Sequence, residues 1–82
     1  MTTNQEKMTT NQEKTIYYFD EDPGYETIQK ITNGYFTTLS LTDGRIMFLN
    51  EAGEYTCEIN NEASKIYNIK IYGKIVIIGK VN

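Results

Sequence analysis

The fold is decided by residues 33–53, which read NGYFTTLSLTDGRIMFLNEAG. Three pairs in this stretch suit tight turns: Asn33-Gly34, Asp43-Gly44 and Ala52-Gly53. The runs between them are rich in β-branched, aromatic and aliphatic residues and have the length of ordinary strands. Because asparagine, aspartate and glycine tolerate the positive φ of primed hairpin turns, the stretch predicts antiparallel strands joined by short turns.

Alternation of apolar and polar residues extends this pattern along the chain. Residues 35–41, 55–59 and 67–71 place apolar side chains at every second position, as half-buried strands do. Residues 46–49 and 75–78 are continuously apolar, which is typical of strands covered on both faces. The sequence therefore predicts an all-β fold, a small antiparallel meander of six to seven short strands that curls into a partly closed barrel. Its turn spacing resembles SH3-like and OB-like barrels in architecture only.

Residues 22–34 leave a second interpretation open. Tyr25, Ile28 and Ile31 recur at helical spacing, and Pro23 suits the first position of a helix. The β-branched residues of the segment and the hairpin signal at its end favour a strand instead. A strand is our prediction, and a short helix at 23–32 is the alternative.

The chain of 82 residues has room for one small domain. Residues 1–14 are the heptad MTTNQEK written twice, and this polar repeat predicts a flexible tail. Residues 15–82 are predicted to form a single small β domain. No apolar run approaches the roughly 18 to 20 residues of a membrane span, and no signal-like segment opens the chain. We therefore expect a cytoplasmic protein without membrane association.

Charge is distributed unevenly around a net value of −3. Residues 15–64 contain nine acidic and two basic residues, whereas residues 65–82 contain four lysines and no acid. A net acidic domain favours a protein partner with a basic surface over a general nucleic-acid binder, which needs a basic footprint.

Few residues are suited to catalysis or metal binding. The chain has no histidine and a single cysteine, Cys57, which lies on an apolar strand face and is predicted to be a small buried hydrophobe. The acidic run at residues 20–22 departs from calcium-loop spacing, since Pro23 and Gly24 follow at once. We predict no enzyme activity, no catalytic residues, no cofactor and no metal site.

Tyrosine is the most unusual feature of the composition, with seven residues in a short chain. By strand parity they cannot all be interior, and exposed tyrosines are enriched at protein interfaces. Together with the acidic run they give the predicted binding residues: Tyr17, Asp20, Glu21, Asp22, Tyr25, Tyr67 and Tyr72.

The leading hypothesis is a non-enzymatic protein-binding module, a small inhibitor or adaptor that occupies a partner protein, of the kind that phages and other mobile elements encode. One alternative is a small barrel that binds single-stranded nucleic acid or an oligosaccharide through Tyr67, Tyr72 and the lysines of the last two strands. Another is a structural self-assembling subunit, a homo-oligomer in which residues 75–78 or an exposed edge pair with another copy.

Overall fold

A computed structural model describes residues 14–80, so the predicted tail lies outside the described residues except for Lys14. Within this range the chain forms four strands and three helices. In chain order they are β1 (Ile16–Phe19), α1 (Tyr25–Thr32), β2 (Phe36–Ser40), β3 (Ile46–Asn50), α2 (Gly53–Thr56), α3 (Asn61–Tyr67) and β4 (Ile75–Ile78).

The strands form one mixed sheet in the order β1-β4-β3-β2. β1 runs parallel to β4 with Ile16 opposite Ile75, whereas β3 is antiparallel to both β4 and β2. The last strand is therefore inserted between the first strand and the hairpin of β2 and β3. As a result β1 and β2 form the two edges of the sheet.

The predicted all-β meander and SH3-like or OB-like barrel are wrong, because the fold is mixed α/β with an open sheet. The strand favoured at 23–32 is replaced by α1. Asn33, in the left-handed conformation with φ 67°, ends this helix, and its N–H and that of Gly34 donate to the Gln29 carbonyl. The pair Asn33-Gly34 thus terminates a helix instead of turning a hairpin.

The strands predicted at 55–59 and 67–71 are also absent. The first overlaps α2 and the second begins at the last residue of α3, and all that remains of their pairing is one antiparallel bridge between Ile59 and Tyr72. A helix of four residues is shorter than the window in which helical and strand periods differ clearly, so an apparent period of two was misleading there.

One face of the sheet carries the main core. Ile75 and Ile77 of β4 alternate with Val76, and their neighbours across the sheet, Ile16 and Met47, are buried beside them. Ala63 of α3 and Ile71, which follows it, close this cluster. Burial of each large aliphatic side chain contributes about 1.5 to 3 kcal/mol, so this cluster supplies much of the stability of the fold.

The opposite face is covered by α1, which contacts β3 and β4 and buries Ile28 and Thr32 against them. A chain of rings joins the helix to the sheet on this side, with Tyr25 5.4 Å from Phe36 and Phe36 5.5 Å from Phe48 between centroids. Val76 points to this face by parity. Cover on both faces explains why β4 is continuously apolar, as its sequence predicted.

Asn60 links the helical segment to the sheet. Its side chain is 5% exposed, and its Oδ1 accepts a hydrogen bond from the Ala63 N–H at 3.0 Å as the N-cap of α3. Its Nδ2 donates to the carbonyl oxygens of Thr15 at 3.2 Å and Gly73 at 2.8 Å. One buried amide therefore ties α3 to the segments that enter β1 and β4.

Replacement of Asn60 by alanine should lower the free energy of unfolding by about 2 to 3 kcal/mol, because it removes a helix cap and leaves buried backbone groups unpaired. The control is Asn61→Ala at the exposed neighbouring position, which should change stability by less than about 0.5 kcal/mol. Urea unfolding followed by circular dichroism measures both. Equal effects in the two variants would contradict the linking role of Asn60.

Candidate functional site

The residues predicted to make contacts do not form a single site. Residues 20–22 and Tyr25 lie at the carboxyl end of β1, where the chain enters α1. Tyr17 points by strand parity to the α1 face, near the other end of β1. Tyr67 lies at the end of α3 on the opposite face, and Tyr72 bridges to Ile59.

The acidic loop at residues 20–22 is exposed. Asp22 Oδ1 accepts a hydrogen bond from the Gly24 N–H at 2.8 Å, so this carboxylate shapes the turn into α1. Tyr25 is 58% exposed although its ring also packs on Phe36. Among residues 14–80 no group of three Asp, Glu, His or Cys side chains is placed to hold a metal ion.

Tyr17 lines a cleft of 430 Å³ at the carboxyl end of α1. The other lining residues are Lys30, Ile31, Asn33 and Lys74. The ammonium group of Lys14 lies 4.6 Å from the centroid of the Tyr17 ring, within cation–π distance. The cleft thus combines cationic side chains with an aromatic wall. Sequence reasoning placed Lys74 with the lysines of the last strands and missed its position near Lys30.

β2 is an edge strand with an open outer side, since among the described residues it pairs with β3 alone. Thr37, Thr38, Leu39 and Ser40 are all exposed. Residues 35–42, which read YFTTLSLT, contain no charge, no proline and no glycine. Natural edge strands usually carry a lysine, a proline or a bulge that discourages pairing. β2 has no lysine and no proline, and its register with β3 is unbroken.

The hydrogen bonds that flank β2 show which of its backbone groups face outward. Glu51 N–H donates to the Tyr35 carbonyl at 2.9 Å, and Leu41 N–H donates to the Arg45 carbonyl at 2.8 Å. In an antiparallel ladder, residues alternate between facing the partner strand and facing away from it. The odd-numbered residues therefore bond to β3, and the N–H and C=O groups of Phe36, Thr38 and Ser40 point outward.

An apolar groove of 250 Å³ lies beside this edge on the α3 face. Leu39 and Ile69 form its exposed rim, at 38% and 45% exposed, whereas Leu41 and Tyr67 are half-buried and pack against the main core. Ser40, Thr42 and Asp43 complete the lining. Of these residues only Tyr67 was predicted from the sequence. The uncharged run at 35–42 points to the part of the lining that β2 and its flank supply, whereas no local signal points to Ile69.

An ion pair stands at the end of the groove. The Arg45 guanidinium lies 2.8 Å from Asp43 Oδ2, and the Arg45 backbone N–H donates to Asp43 Oδ1 at 3.0 Å. That backbone hydrogen bond is the main reason why the pKa of Asp43 is lowered, and the guanidinium adds to it. The charge of Asp43 is thus already matched within the turn.

The phenol of Tyr67 forms one wall of the groove. Desolvation raises the pKa of its phenol to about 12, and a hydrogen bond with Tyr18 contributes in the same direction. Arg45 lies over the ring of Tyr18, 5.8 Å from its centroid. The two tyrosines thus connect the groove to the ion pair. The groove is largely apolar, and the charge of Asp43 at its end is matched by Arg45.

A comparison with family models, with curated proteins and with solved structures finds no match. Among residues 14–80, no helix has the length and apolar character needed to cross a membrane.

The raised pKa of Tyr67 predicts a late step in an alkaline absorbance titration. One tyrosine should ionise near pH 12, and this step should be lost in Tyr67→Phe but kept in Tyr55→Phe, the control at an 86% exposed position. Because the pKa in the folded state lies above the ordinary value of 10.0, the fold favours the neutral phenol. This stabilisation is complete below about pH 10 and is lost as the pH rises through 12. A late step that survives in Tyr67→Phe would contradict the assignment.

Proposed function

We propose that the chain is a non-enzymatic protein-binding module that works by occupying a partner polypeptide, as a small inhibitor or an adaptor does. The observation that supports this function is the open and uncharged outer edge of β2. An extended segment of the partner adds to this edge and hydrogen-bonds to the outward backbone groups of Phe36, Thr38 and Ser40. Strand addition of this kind takes its affinity from the main chain.

The groove beside the edge supplies selectivity. Side chains of an added strand alternate between the two faces of the sheet, so every second one points toward the α3 face. There an aliphatic or aromatic side chain fits between Leu39 and Ile69, over the phenol of Tyr67. A charged side chain would be desolvated without a counterion, because Asp43 and Arg45 already pair with each other.

The self-assembling subunit is the second candidate, and the same edge favours it. The route through residues 75–78 is wrong, because β4 is the strand between β1 and β3 and is hydrogen-bonded on both sides. The topology leaves two edges, β1 and β2, and β2 has a neutral sequence, which carries no charge that would repel a second copy.

The nucleic-acid or oligosaccharide alternative stays a prediction, as do the cytoplasmic location and the basic partner. Tyr67 and Tyr72 are half-buried, and Tyr67 packs against the core, so these rings are poorly placed to stack with a base or a sugar. Titration with a single-stranded oligonucleotide at low salt tests the nucleic-acid binding, because phosphate contacts are strongest there.

A photo-cross-linking amino acid at position 39 tests the proposed function in a lysate of the source cells. We expect a discrete cross-linked polypeptide with the probe at Leu39, and none with the probe at Tyr55, which is exposed on α2. Thr38→Pro in the Leu39-probe chain should abolish the product, because its ring replaces an outward N–H that has no intramolecular partner strand. Equal products from both probe positions, or a product unaffected by Thr38→Pro, would contradict strand addition at β2.

A further inference from the structure

We infer that the strand which adds to β2 is β2 of a second copy of this chain. The two sheets of four strands then join into one sheet of eight, with a two-fold axis at Thr38. This inference rests on the strand addition at β2 in the proposed function, and it names a second copy as the polypeptide that occupies this edge.

The pattern of outward backbone groups restricts the register. In a two-fold antiparallel pair centred on Thr38, that residue lies opposite its own copy and Phe36 lies opposite Ser40 of the other copy. The N–H and C=O groups of all these residues point outward. Each of the three residue pairs therefore exchanges two hydrogen bonds, which gives about six between the two copies. A register shifted by one residue would set outward groups against inward ones. Centring on Thr38 also matches β2 along its whole length.

The side chains are compatible with this register on both faces. On the α1 face, two threonines meet at the axis, a favourable cross-strand pair. On the α3 face, Leu39 lies opposite Thr37 of the second copy and diagonal to the second Leu39, within reach of a long side chain. Leu39 is 38% exposed in the single chain, so pairing removes apolar surface from water beside the groove.

The absence of charge along β2 permits pairing with its own copy. A two-fold axis brings each residue near it close to its own copy, so any charge there would repel itself. Residues 35–42 carry no charge, and Asp43 would lie opposite Asn33 of the second copy while paired with Arg45. No like charges therefore meet when β2 pairs with its own copy.

Sedimentation equilibrium tests the inference with the full chain. Wild type should be a dimer, and Thr38→Lys and Thr38→Glu should each raise the dissociation constant about 100-fold or more, because like charges meet at the axis. An equimolar mixture of the two variants should recover the dimer mass through an ion pair at the same position. Both variants should keep the circular dichroism spectrum of the folded chain, since Thr38 is exposed.

Disulfide trapping tests the register. In a Cys57→Ala background, Thr38→Cys should form a covalent dimer under mild oxidation, because hydrogen-bonded partners lie about 5.5 Å apart between Cα atoms, within the range that a disulfide spans. The matched control is Thr42→Cys, also exposed, whose copy lies far along the paired strands. It should cross-link much more slowly.

A monomeric mass for wild type at its highest soluble concentration would overturn the inference, as would equal cross-linking at positions 38 and 42. If the photo-probe at Leu39 then still captures another polypeptide, strand addition stands and only the second copy is excluded. If it captures nothing, the proposed function fails as well.

Discussion

The insertion of β4 between β1 and β3 is the constraint on which the rest of the structure depends. Its residues Ile75, Val76 and Ile77 are buried on both faces, so each face needs its own cover. α1 supplies one cover, and Ala63 with Ile71 supplies the other. Because β4 pairs with β3 and not with β2, β2 has one neighbour in the sheet. The open edge is therefore a consequence of where the last strand is placed.

Local signals predicted the parts of the fold that local interactions determine. The Asp43-Gly44 turn joins β2 and β3 as expected, and the apolar run at residues 75–78 is a strand covered on both sides. The helical segments escaped prediction because their determinants are distant in the chain. Asn60 caps α3 while it bonds to Thr15 and Gly73, and no pattern within residues 55–67 reveals those partners.

The candidate site was predictable only in part for a related reason. Tyr67 stood out as an aromatic residue, but the groove gains its shape from Leu39 and Ile69, which two separate segments bring to it. The neutrality of residues 35–42 is plain in the sequence. This neutrality indicates a surface for strand addition only if β2 is an edge strand, and the position of β4 decides that. Tyr25 was predicted as a binding residue, but its ring packs on Phe36 and is only partly available for contacts.

The topology places the acidic run at residues 20–22 next to an edge of the sheet. Sequence composition suggested a surface for a basic partner, yet the run directly follows β1, the other edge strand. Charged residues are one means by which natural edge strands avoid pairing with further strands. Lys14 precedes β1 and three acids follow it, whereas residues 35–42 at the other edge carry no charge. The strand addition that we propose uses the neutral edge at β2. Pairing at one edge of each sheet gives a closed pair, whereas growth at both edges would produce fibres.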